Sequence, residues 1–141
     1  MNSESAVTQS RPARRESGFL GFDFGLRRVG VATGNTITGT AQPLCTVASM
    51  GAARFDAIAK LLAEWQPDAL VVGVPFHPDG AAHENTLRAR RFARQLEGRF
   101  GKPVFEVDER YTTTEARSLN ARDVDAASAA LILEQHLRNL A

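Results

Sequence analysis

The chain has 141 residues, of which 43% are hydrophobic and 23% charged, with a formal net charge of +1. That length suits one hydrophobic core rather than two, and that balance excludes a disordered or fibrous chain. No apolar run approaches the roughly 18 residues of a membrane span and the N-terminus lacks the apolar stretch of a secretory signal, so a cytoplasmic protein is expected.

Residues 1–17, rich in Ser, Arg and Ala, read as a disordered basic tail, and residues 18–141 as a single domain. From Gly18 to Gly34 the sequence GFLGFDFGLRRVGVATG gives an apolar strand ending at Asp23, a turn at Gly25, and a second apolar run through Val29, Val31 and Ala32, which together predict a β-hairpin. Thr36 to Val47 is β-compatible but broken by Pro43, so an edge strand is expected. Phe55, Ile58, Ala59 and Leu62 share one helical face, and Pro67 stops that helix after Trp65. Ala69 to Val74 is a short continuous apolar run, as expected of a central strand covered on both faces, and the loop PFHPDG follows. Ala89, Phe92, Ala93, Leu96 and Phe100 predict a second helix ending at Gly101. Val104 to Val107 predicts another strand, Thr112 to Glu115 carries the pattern of a capping box opening a helix, and a last helix starts near Asp123 and passes through Ala127, Ala130, Leu131, Glu134 and Leu137. The expected class is α/β: a mixed five-stranded sheet with helices on both faces.

Three acids fall where a folding argument alone would not place them: Asp23 within an apolar strand, Asp108 or Glu109 at the end of another, and Asp125 near the start of the last helix. Each also has a plain structural role. Asp23 can bond its own turn, Asp108 or Glu109 can close a strand end beside Arg110, and Asp125 can complement the helix dipole behind Asp123 as N-cap. Converging carboxylates become tolerable when a hard cation shares them. An oxygen-only ligand set suits Mg²⁺ (or Mn²⁺), and two such ions roughly 3.5–4 Å apart can activate water and stabilise a leaving oxygen on phosphorus. Glu115 is explained by its capping box. His77, His83 and His136 show no metal-ligand spacing and read as surface or loop residues. Cys45 stands alone, so no disulfide framework or cysteine cluster is expected.

Charge is unevenly distributed despite its small total. Arg88, Arg90, Arg91, Arg94, Arg99 and Lys102 crowd a segment whose only acids are Glu84 and Glu97. Such a face is commonly just solvated, but beside a metal-binding carboxylate group it becomes a tracker for a phosphate backbone. Arg27, Arg28, Arg88, Arg91, Arg94 and Arg110 are therefore the candidate nucleic-acid contacts.

Four blocks taken in order, GFDFGLRRVGVATG, VVGVPFHPDG, VDERYTTTEAR and DVDAASAALILEQHL, resemble the motifs of the YqgF/RuvX family and cover nearly all of residues 18–137. The resemblance implies a ribonuclease H-like fold, kinship with Holliday-junction resolvases, and a nuclease for the 5′ end of pre-16S ribosomal RNA in the bacterial cytoplasm. It puts the family's acids on Asp23, on Glu109 with Asp108 beside it, and on Asp125. It also implies nucleic acid as partner, either precursor rRNA within the small ribosomal subunit precursor or branched DNA. One departure stands out: family members carry a longer Gly- and Lys-containing segment before the final Asp, where only Tyr111 to Val124 intervene. A second subunit, as in dimeric resolvases, is one source of the missing surface.

Two rival functions have sequence tests. A nucleotide-binding half of the actin and sugar-kinase type also begins with an Asp-x-Gly hairpin, but needs a second half to enclose ATP. A non-catalytic nucleic-acid or ribosome-assembly module would keep the fold and the arginines without turnover. The Asp-Phe-Gly string alone does not make a protein kinase, whose other signatures are missing.

Overall fold

The computed structural model describes residues 17–77, 79–109 and 123–140. The predicted N-terminal tail up to residue 16, Arg110 and the capping-box helix at Thr112–Glu115 lie outside the described residues. The elements are β1 (Gly18–Asp23), β2 (Val29–Asn35), β3 (Ala41–Val47), α1 (Gly51–Trp65), β4 (Ala69–Val74), α2 (Glu84–Phe100), β5 (Val104–Asp108) and α3 (Val124–Leu140). The five strands form one sheet in the order β3-β2-β1-β4-β5. β1 pairs antiparallel with β2, and β2 with β3, while β4 runs parallel to both β1 and β5. The expected mixed sheet is therefore present, and β1 and β4 are its buried centre.

Each strand's side chains alternate between two apolar layers. Leu20, Phe22, Val31, Leu70 and Val72 pack against Phe55, Ile58 and Leu62 of α1 and Phe92 and Leu96 of α2. Phe19, Ala32, Val71 and Val107 pack on the other side against Ala129, Ile132, Leu133 and Leu137 of α3.

Several sequence expectations shift in the structure. The third strand begins at Ala41 rather than Thr36, because Asn35 turns the chain: its Oδ1 accepts from the Thr38 amide at 3.0 Å, and Gly39 adopts φ 69°. Pro43 is tolerated because β3 is an edge strand, next to an irregularity in the β2–β3 register. On α1, Ala59 is exposed and Arg54 takes the inward position with Phe55, Ile58 and Leu62. His136, expected at the surface, is buried at 7% exposure between Phe19 and Phe105, with ring centroids at 5.2 and 5.0 Å. Burial holds its pKa below the usual histidine value. It lies three and four residues beyond Leu133 and Ile132, on the same helical face.

Both long helices beside the strand ends are capped by side chains. His83 Nδ1 accepts from the Asn85 amide at 3.1 Å, and Thr86 Oγ1 accepts in return from the His83 amide at 3.0 Å, opening α2. Asp123 Oδ1 accepts from the Ala126 amide at 3.0 Å and from the Thr46 hydroxyl at 2.6 Å, so the predicted cap of α3 also ties that helix to β3.

Candidate functional site

Asp23 ends β1 on the α3 side of the sheet. Its antiparallel partner is Gly30 and its parallel partner is Gly73, which in turn faces Val107. The acid therefore stands in a row whose two flanking positions carry no side chain, and both gaps are used. A β-carbon on Gly30 would overlap the backbone carbonyl of Asp125, so only glycine lets the first turn of α3 touch the sheet there. A β-carbon on Gly73 would lie 3.0 Å from Cγ of Glu109 and would overlap the end of Ile132. Two glycines thus admit Asp125 from one side and Glu109 from the other, because a side chain at either position would fill the space through which the acid approaches.

Glu109 follows β5 and turns back to the same side of the sheet. Its carboxyl is pushed up to about 8 by burial, then by the charges of Asp23 and Asp108, and by a hydrogen bond with the Asp23 side chain. Two carboxyls brought that close cannot both ionise at low cost, so they share a proton at neutral pH unless a cation takes its place. Asp108 is paired with Val74, and strand alternation turns it away from Val107 and the α3 layer. It acts on Glu109 through its charge.

Asp125 sits on the backbone of Gly30, but its Oδ2 is engaged with Nε of Arg28 at 3.1 Å. Among the described residues, no three His, Cys, Asp or Glu side chains close into a metal-ligating group. The structure thus brings Asp23 and Glu109 into direct contact and places Asp125 beside them, with its carboxylate turned to an arginine.

A cleft of about 310 Å³ opens over this pair, lined by Asp23, Phe24, Gly25, Leu26, Pro75, Asn85 and Glu109. Sequence reasoning did not nominate Asn85, which the α2 cap carries to the rim. A larger groove, about 440 Å³, lies between β3 and α1 and includes Cys45, Asp56 and Lys60. It holds none of the predicted acids, and burial, with Asp123 and Glu64 nearby, raises the Cys45 thiol's pKa and keeps it protonated. The carboxylate cleft is the better site.

Of the predicted nucleic-acid contacts, Arg27 is exposed on the β1–β2 turn and Arg28 is the partner of Asp125. Arg91 and Arg94 are exposed on α2. Arg88 is drawn back onto its own helix, with Glu84 at 3.0 Å and Asn85 at 3.3 Å. Arg90, by contrast, bonds Glu106 at 3.3 Å and covers the Phe76 ring, linking α2 to β5 and to the loop after β4.

The acids fit a hard divalent cation: the donor set is all oxygen, Asp23 and Glu109 share one proton that a cation would replace, and the glycines leave them room.

A sequence profile described as RuvX, Holliday junction resolvase, matches residues 17–139. A relative from Albidiferax ferrireducens, named "Putative pre-16S rRNA nuclease", is 70% identical over 122 residues, covering 86% of this chain and 78% of that protein. One of the same name from Paraburkholderia phytofirmans is 53% identical over 138 residues, covering 93% of this chain and 94% of that protein. Among solved structures, Thermus thermophilus RuvC in complex with a Holliday junction substrate matches with a TM-score of 0.56 at 15% identity, over 87% of this chain and 95% of that one. That likeness shows the fold, which is ribonuclease H-like. No helix among the described residues is long and apolar enough to cross a membrane.

Proposed function

Because this chain belongs to the RuvX family, we propose that it is a metal-dependent nuclease that hydrolyses phosphodiester bonds at the Asp23–Glu109 cleft, with pre-16S rRNA as its substrate in the cytoplasm. The observation that carries the reading is the contact of Asp23 with Glu109 across Gly73 of β4, at the ends of the two strands that flank it, with Asp125 seated against Gly30 beside them. The relatives' shared name supports the RNA substrate, at up to 70% identity. The family description keeps a DNA four-way junction as the second reading.

Asp23, Glu109 and Asp125 would hold Mg²⁺ or Mn²⁺, with Asp108 adding negative charge behind Glu109. Bound there, a divalent cation polarises the scissile phosphate and lowers the pKa of water. The chain's own residues do the rest. Asp23 and Glu109 are presented from a rigid sheet, so the acids need little reorganisation when substrate arrives. Arg28 is placed to neutralise Asp125 or a phosphate oxygen at the same spot. Arg27, Arg91 and Arg94 meet backbone phosphates farther along the strand, and Arg110 follows Glu109 in sequence. A second copy of the chain and the small ribosomal subunit precursor are the proposed partners.

The test is cleavage of a labelled precursor rRNA fragment and a DNA four-way junction in parallel, with Mg²⁺, Mn²⁺ or chelator. Wild type should cut the RNA only with metal. Asp23→Asn should abolish cleavage while leaving RNA binding largely intact. Preferential cutting of the junction would move the substrate to DNA, and tight binding without any cutting would replace the enzyme with an assembly factor.

A further inference from the structure

Arg54 is buried at 6% exposure in the first turn of α1, on the side of the sheet opposite α3. Its Nε donates to the Ser49 carbonyl at 3.0 Å and its Nη2 to the Leu26 carbonyl at 2.9 Å, and its guanidinium lies 5.7 Å from the Phe24 ring centroid. Burying a guanidinium is costly, and a side chain needed only to fill space there would be apolar. What this one does that an apolar residue cannot is grip two backbone carbonyls at fixed angles.

One of those carbonyls belongs to the turn that joins Asp23 to β2. The turn is tight: a β-carbon on Gly25 would meet the Arg28 carbonyl oxygen at 2.5 Å. Phe24 and Leu26 wall the cleft, and two residues after Leu26 comes Arg28, whose Nε holds Asp125 at 3.1 Å. A continuous run of contacts therefore leads from a buried arginine beneath the sheet, through the turn, to the acid on the far side.

We propose that Arg54 is a positioning residue: by holding the Leu26 carbonyl it fixes the 24–28 turn, and with it the placement of Arg28 and Asp125 beside Asp23. The role rests on the reading of Asp23, Glu109 and Asp125 as metal-holding acids, so its test separates the two ideas.

Mn²⁺ affinity without nucleic acid, amide deuterium uptake across residues 24–28, and thermal melting are measured on the full chain for wild type, Arg54→Met, Arg54→Lys and Asp23→Asn. Methionine keeps apolar packing on Phe24 without a buried charge, so Arg54→Met should melt close to wild type. It should nevertheless bind Mn²⁺ about tenfold more weakly, the order seen when groups that orient metal ligands are removed, and exchange faster across 24–28. Arg54→Lys keeps the charge but cannot reach both carbonyls with the same fork, and should fall between. If Arg54→Met leaves both Mn²⁺ affinity and exchange unchanged, Arg54 is packing and the proposal fails. Should that variant melt early, the same two readouts on Arg54→Lys decide. Mn²⁺ binding that survives Asp23→Asn would overturn the metal reading instead, and exchange across 24–28 would then judge the hold of Arg54 on the turn by itself.

Discussion

Glu109 shows how strongly a site can be biased by the placement of one side chain. In the folded chain its carboxyl keeps its proton up to about pH 8, whereas its ordinary value is 4.5. The unfolded chain therefore releases that proton first. Below about pH 4.5 both states hold it and the native state suffers no penalty. As pH rises from there towards 8 the folded state binds more protons than the unfolded one, so native stability falls, and the loss levels off above that range. Glu109→Gln removes the penalty. The variant should melt at nearly the wild-type temperature around pH 4 and above it around pH 9, with the gap widening between. Saturating Mg²⁺ should narrow that gap, because a cation stabilises the ionised pair. A melting difference that stays constant with pH would show that Asp23 and Glu109 do not share a proton.

Among the elements, α3 has the most demanding fit, because its first turn rests on bare backbone. Gly30→Ala puts a methyl group into the Asp125 carbonyl, and the helix must lift. Overpacking of this kind costs about 1–3 kcal/mol, and denaturant melts should show that loss together with weaker cleavage. Gly18→Ala, where a β-carbon meets nothing within 4 Å, is the control and should leave both unchanged. Glycines inside Val29–Asn35 and Ala69–Val74 are a sequence signal for a close approach, so this contact could have been anticipated in kind. The strands, the hairpin and the cap at Asp123 were legible because alternation and capping are local. The contact between Asp23 and Glu109 was not, since it depends on the parallel alignment of β1, β4 and β5 across distant sequence. His136 was misjudged and Arg54 went unnominated for another reason. Their spacing put them on buried faces, with Ile132 and Leu133 and with Ile58, but polar side chains give no sign of burial on their own, and aromatic rings and backbone carbonyls supplied what water would have.

At the scale of the whole molecule, a net charge of +1 conceals a division of labour, with acids gathered at the strand ends and exposed arginines on α2. Double charge reversal at Arg91 and Arg94 should weaken RNA binding and lower the slope of log K against log salt by about 2, while a chelator-insensitive fold is retained. An unchanged slope would make that helix face merely solvated. The same long-range design sets a timetable. Asp23 lies in the first strand and Asp125 in α3, more than a hundred residues later. A growing polypeptide thus exposes its first acid long before the third has been translated, and the proposed centre stays incomplete throughout that interval. For an enzyme proposed to act on ribosomal RNA, a nascent chain carries its first acid without the third for most of its synthesis.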